Sequence, residues 1–221
     1  MTFSILAKDP ETGAIGGAAA TGSLCVGGWV LRGDLAAGMS ASQGAAPSTF
    51  WGEEVLAGMR GGERAAAAVA RVTQADPGRA YRQLSALDLD GGTGAFTGEK
   101  NEPARGSQAF AGGIVAGNML ASTDVLVRMV AGYEADDGAF DRRLLAALRA
   151  AEAAGGDFRG LMSAALLVLH PERPPLTLRV DFHESDPIGA LEALHGRATS
   201  GDYADWARQV PVASDRTRVL D

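Results

Sequence analysis

The chain has 221 residues, 46% of them hydrophobic and 21% charged, which is enough apolar material for a full core and too much for global disorder. A net charge of −7 and a pI near 5.0 argue against a nucleic-acid or anionic-membrane surface, which needs clustered Lys and Arg. A single cysteine, Cys25, excludes an internal disulfide. No apolar run reaches the ~18 residues of a membrane span and the first residues carry no signal pattern, so the expected location is the cytoplasm.

Two apolar runs, Phe3 to Ala7 and Ala14 to Ala20, flank Asp9-Pro10-Glu11-Thr12-Gly13. Pro10 pre-sets φ for a turn and Gly13 can take φ > 0, so the stretch predicts a hairpin. The glycine-studded Thr21 to Leu31 predicts a close-packed loop or bulged strand, and the small residues of Leu35 to Gln43 predict a third strand ended by Gly44 and Pro47. Ser48 or Thr49 can cap a helix with Phe50, Val55, Leu56 and Met59 on one stripe. A second, Ala-rich helix over Glu63 to Gln74 closes at Asp76-Pro77-Gly78.

Leu87 and Leu89 alternate with Asp88 and Asp90 and predict a short strand, turned by Gly91-Gly92 into Gly94 to Thr97. Ala109 to Gly117 reads as another strand, ending at Asn118. Helices follow with Val125, Met129 and Tyr133, and then over Asp141 to Ala153 with Leu144, Leu148 and Ala151 at helical spacing. Ser163 to Leu169 and Leu176 to Phe182 predict two strands joined through Pro171 to Pro175. Asp186 caps and Pro187 opens a helix through Leu194, and a last short helix would hold Tyr203, Trp206 and Val210.

Strands in runs, with helices in pairs, disfavour a doubly wound parallel sheet. They fit an α+β fold of two mainly antiparallel sheets packed between helical layers. Residues 1–212 are expected to form one domain, with 213–221 a flexible tail. The apolar helix faces suggest a homodimer.

Thr2 sits at the outer end of the first strand. If Met1 is removed, its hydroxyl lies beside its own free amine, whose pKa near ~7.7–8.0 lets it act as a base. Thr is also a common strand residue, and a retained Met1 blocks this chemistry. Asn118, at the end of its strand, is a candidate oxyanion donor or a loop cap, and Ser42, Gln43 and Arg32 are candidate substrate contacts. The two lysines, Lys8 and Lys100, are poorly placed to assist: Lys8 lies roughly 20 Å along the strand from Thr2 at ~3.3 Å per residue. Cys25 reads as a small hydrophobe. Asp181, His183 and Asp186 gather at a strand end, where such groups are most often simply solvated, so no metal is expected. Gly92-Thr93-Gly94 lies in a hairpin and is no dinucleotide fingerprint, so no cofactor is expected.

Met1 to Ile5, the Asp9 to Gly13 turn, Gly117-Asn118-Met119-Leu120 and Ser163 to Val168 together resemble a family of bacterial and archaeal proteins numbered 1028 among the domains of unknown function. The resemblance runs from Met1 to about Leu194. That family looks like a member of the N-terminal-nucleophile hydrolases, which implies a four-layer α-β-β-α sandwich and cleavage of an amide in a small or peptide-like substrate. The chain departs from the family at Ala116 and Met162, where Gln is usual, and over Glu99 to Gly106, which lacks the usual Cys and His. The alternative is a non-catalytic binding or assembly protein that retains the fold with an unprocessed terminus.

Overall fold

The structure is a computed structural model and describes residues 2–157 and 159–220. Strand β1 (Thr2–Lys8) turns into β2 (Ile15–Thr21) through the expected tight loop. Gly13 takes φ +73° there, and Asp9 accepts from Thr12 Oγ1 at 2.5 Å. A short helix α1 (Val26–Trp29) leads to a second hairpin, β3 (Leu31–Asp34) and β4 (Gly38–Gly44). Helices α2 (Thr49–Arg60) and α3 (Ala65–Gln74) follow, then a turn of 3-10 helix and strands β5 (Arg82–Asp88) and β6 (Thr93–Thr97). The chain continues through β7 (Gly106–Phe110), β8 (Gly113–Asn118), α4 (Asp124–Ala135) and α5 (Phe140–Ala153). It ends with β9 (Ser163–His170), β10 (Arg173–Val180), α6 (Pro187–Ala198) and α7 (Gly201–Ala207).

Several predicted segments differ. Thr21 to Leu31, read as a loop or bulged strand, holds helix α1, and Phe50, placed on the apolar stripe of its helix, is exposed while Trp51 is buried. Leu35 to Gln43 is not one strand but the turn and second arm of a hairpin, because Asp34 closes the turn itself: its Oδ1 accepts from Ala36 N at 2.7 Å and its carbonyl from Ala37 N at 3.0 Å, an Asx turn. Ala109 to Gly117 is likewise split, at Gly112 with φ +80°. Pro174 and Pro175 lie inside β10 rather than in the turn before it. They are tolerated because β10 is an edge strand and its register shifts between Arg173 and Leu176.

All strand pairs are antiparallel. They form a six-stranded sheet in the order β10-β9-β2-β1-β8-β7 and a four-stranded sheet in the order β3-β4-β5-β6. Period-two alternation divides each strand between two cores. Phe3, Ile5 and Ala7 of β1 pack with Met129 of α4, Leu144 and Leu148 of α5, and Ile188 of α6. Leu6 points the other way and joins Ile15, Leu31, Met39, Leu87 and Ile114, a core drawn from both sheets. On the four-stranded sheet, Leu84 and Ala86 face Trp51, Val55 and Val69 of α2 and α3. Gly94 lets α3 approach closely, since a Cβ there would stand 2.7 Å from Ala65 O. The fold is therefore mixed α+β, with two antiparallel sheets and, among the described residues, seven helices. No helix among them is long and apolar enough to cross a membrane. In the segment predicted as a tail, Ser214 N donates to Pro171 O and Val212 bridges to Asp215.

Candidate active site

The layer between the sheets changes character along the strands. At the Lys8 end it is filled by the aliphatic cluster around Leu6. At the Thr2 end, the same faces carry Thr2 and Ser4 on β1, Thr21 on β2, Gln43 on β4, Gln83 on β5, Asn118 on β8 and Ser163 on β9, all buried. Register brings them level: Thr2 pairs with Thr21 on one side and Asn118 on the other, Gln43 pairs with Gln83, and Thr21 pairs with Ser163.

The groups form one hydrogen-bonded network. Thr2 Oγ1 lies 3.1 Å from Thr21 Oγ1. Ser4 Oγ donates to Gln43 Oε1 at 2.8 Å, and Gln43 Nε2 donates to Gln83 Oε1 at 2.7 Å and to the Thr2 carbonyl at 3.3 Å. Gln83 Nε2 reaches Thr97 Oγ1, Gly106 O and Gly117 O at 2.9, 3.0 and 2.9 Å. Asn118 Nδ2 donates to Gln83 Oε1 at 3.0 Å, whereas Asn118 Oδ1 is buried with no partner among the described residues. A buried polar group is costly unless paired, so a layer this polar needs a reason that an aliphatic one would not.

The surrounding loops are pinned around this end. Ser163 Oγ donates to Ser23 O at 2.7 Å and accepts from Val26 N at 3.1 Å. Asp157 Oδ2 accepts from Gly22 N at 2.7 Å. Leu24, Met162 and Phe182 form an exposed apolar rim, held together by Met162 N to Thr21 O, His183 N to Met162 O and Cys25 N to Asp181 O at 2.8–3.0 Å. Thr2 itself is only 8% exposed.

Of the residues singled out in the sequence, Thr2, Gln43 and Asn118 meet in this layer. Ser42 and Arg32 do not, because each stands one position away from an inward residue and period two sends it to the opposite face. Ser42 Oγ donates to Ser48 O at 2.7 Å, and Arg32 lies beside α2 with Nε 3.8 Å from Glu53. Met1 lies outside the described residues. Lys8 Nζ donates to Leu89 O at the far end of the layer, and Lys100 Nζ rests 4.9 Å above the Tyr81 ring. Asp181 pairs with Arg179, His183 Nδ1 accepts from Asp186 N at 2.9 Å, and Asp186 pairs with Arg149, so each member of that trio is committed to a different partner. Cys25 is half-buried at φ +61°, just before α1. Thr21, Ser4 and Gln83 were missed. The available signal was a polar residue on the inward parity of a strand otherwise filled with small or apolar residues.

An open cleft lies elsewhere. A cavity of about 1280 Å³ opens at the other end of β1, between the β1–β2 turn, the α4–α5 loop, the β9–β10 hairpin and the α6–α7 region. Phe140, Tyr203 and Trp206 line it, with Glu11, Asp137 and Glu172 among its acidic groups. Asp141, also in its wall, is 2.6 Å from His195 Nε2. Burial pushes the Asp141 carboxyl up, but the hydrogen bond and charge of His195 outweigh it and leave the group below the usual carboxylate range.

A family model described as a family of unknown function, DUF1028, matches residues 2–191. No curated protein matches the chain. The crystal structure of protein SPO2555 from Silicibacter pomeroyi, assigned to the same family, is 67% identical, with a TM-score of 0.97 over 100% of this chain and 99% of that one. The chain belongs to the DUF1028 family.

Proposed function

We propose that the protein is an amidohydrolase of the N-terminal-nucleophile type, with Thr2 as nucleophile once Met1 has been removed. The observation that carries this reading is the placement of the Thr2 hydroxyl: at the start of a central strand, facing the inter-sheet layer, amid its buried polar groups. Two antiparallel sheets that share a core and carry helices on their other faces support the reading, since an α-β-β-α arrangement is expected of that superfamily, although a fold alone does not grant its chemistry.

In this reading the free α-amine of Thr2 takes the hydroxyl proton as Oγ1 bonds to the substrate's amide carbon. Asn118 Nδ2 has one hydrogen committed to Gln83 and offers the other to the developing oxyanion. The C–N bond then breaks, the proton leaves with the amine product, and water cleaves the Thr2 ester to restore the hydroxyl. The substrate class is a small or peptide-like amide.

Two measurements test it. Intact mass of the protein from its native host is expected to lack one methionine residue; retention of Met1 on essentially all molecules overturns the mechanism. Thr2→Val keeps the side chain's shape and removes its oxygen, so hydrolysis of any amide substrate found is expected to fall to background.

A second reading is favoured by the 1280 Å³ cleft. Pockets of this kind are the ordinary sites of small ligands, and this one is ~20 Å from Thr2 by strand length. It would make the protein a ligand-binding or assembly module whose Thr2 end is structural.

A further inference from the structure

Two backbone carbonyls set the direction of every amide in the polar layer. Gly106 O and Gly117 O can only accept, and both take Gln83 Nε2. Gln83 therefore turns Oε1 toward Gln43 Nε2 and Asn118 Nδ2, and both of these must donate. Turning the Asn118 amide over would set carbonyl against carbonyl at Gln83. Asn118 is thus held with Oδ1 directed away from Gln83, buried and unpartnered among the described residues.

A buried amide oxygen calls for an N–H or O–H donor. No donor among the described residues reaches it: Ser4 gives to Gln43, Gln43 to Gln83 and the Thr2 carbonyl, and the two Nε2 hydrogens of Gln83 are shared among Thr97 and the two glycine carbonyls. Asn118 stands directly opposite Thr2 in the β1–β8 register, on the same face of the sheet, where facing residues have Cβ atoms ~4.5–5.5 Å apart. Removal of Met1 would create at that position a group with N–H bonds to give, the α-amine of Thr2.

We infer that Asn118 Oδ1 is the acceptor for the α-amine of processed Thr2. Asn118 is then a positioning residue for the base: its oxygen holds one amine hydrogen and leaves the nitrogen lone pair free for the hydroxyl proton. The inference rests on the processed terminus of the proposed function but not on turnover, so the two can fail separately.

The test uses full-length chain released from a fusion cut directly before Thr2, with 13C-labelled threonine, and follows the Thr2 Cα shift by NMR from pH 5 to 10. Asn118→Asp places a carboxylate against the ammonium form and is expected to raise the midpoint by about one pH unit, tenfold in the acid constant. Asn118→Leu removes the acceptor and is expected to lower the midpoint. Folded variants with the wild-type midpoint overturn the inference.

A second readout needs no substitution. The Asn118 side-chain amide shift should titrate with the Thr2 midpoint in the processed chain and stay flat when Met1 is retained. An amide that ignores the amine overturns the inference even if both variants fail to fold. Catalytic turnover with an uncoupled Asn118 would sink this inference alone, and a coupled amine in a protein inert toward amides would sink the hydrolase reading alone.

Discussion

Gln83 is the residue on which the polar layer turns. It joins two strands of the six-stranded sheet, β7 through Gly106 and β8 through Gly117 and Asn118, to Gln43 and Thr97 of the four-stranded sheet. Gln83→Leu would strip partners from two backbone carbonyls and two side-chain amides in a buried site, at ~1–3 kcal/mol for each group left unsatisfied. Some relaxation and entering water will offset this, so a loss of about 3–5 kcal/mol in urea unfolding is expected. Ser42→Ala, which removes only the hydrogen bond to Ser48 O, should cost about 1 kcal/mol. A Gln83→Leu loss no larger than that would show that the network does not hold the sheets together. Thr2, Gln43 and Asn118 could be picked from the sequence because each is polar at the end of an apolar run. Ser42 and Arg32 could not be sorted from them, since parity is fixed only when the strand's register is known, and one residue's offset reverses the face.

At the scale of elements, hairpins with distinctive turns were legible and hairpins inside small-residue runs were not. Asp9 to Gly13 announces its turn by Pro and Gly, whereas Asp34-Leu35-Ala36-Ala37 breaks its run by one Asx side chain. Helix α6 was foreseen from Asp186 and Pro187, and Asp186 does cap it, accepting from Gly189 N at 2.7 Å. What the sequence could not show is that the cap also docks the helix. Arg149 of α5 reaches Asp186 and Glu192 of α6 at 3.0 and 2.7 Å, and Glu152 on its own helix at 2.8 Å. The Arg149 guanidinium, aided by Gly189 N–H, holds the Asp186 carboxyl below the usual carboxylate range. A lowered folded-state pKa contributes stability above the unfolded value near ~3.9, and that contribution is lost as pH falls through the folded value. Asp186→Asn keeps an acceptor for the cap and removes the charge. At pH 7 it should be less stable than wild type by about 0.5–1 kcal/mol, the figure for a half-exposed ion pair. The difference should shrink as pH falls below the unfolded value and be lost once pH has passed below the lowered folded-state value in thermal unfolding. A gap independent of pH would assign Asp186 to capping alone.

On the scale of the whole molecule, the run-of-strands, pair-of-helices order was enough to read two antiparallel sheets with helices outside them. The cleft was not readable, because its walls come from four segments spread between Asp9 and Val210 that only the fold brings together. The result is a molecule with two unlike ends, a closed polar layer at Thr2 and an open aromatic and acidic cleft ~20 Å away. An electrophile separates their roles. A β-lactone opens at its ring ester when a hydroxyl attacks the carbonyl, adding its whole mass to the residue that carried out the attack. In processed chain the adduct is expected on Thr2, and it should vanish in Thr2→Val and in chain that retains Met1. Trp206→Ala alters the cleft wall but touches nothing in the polar layer, so it should label at the wild-type rate. If labelling falls tenfold or more in a folded Trp206→Ala variant, the two ends are coupled and the cleft belongs to the path by which reagents reach Thr2. If Thr2 is never labelled, while small cationic or aromatic ligands raise the Tm of wild type and not of Trp206→Ala, the cleft is the functional site and the polar layer serves the fold.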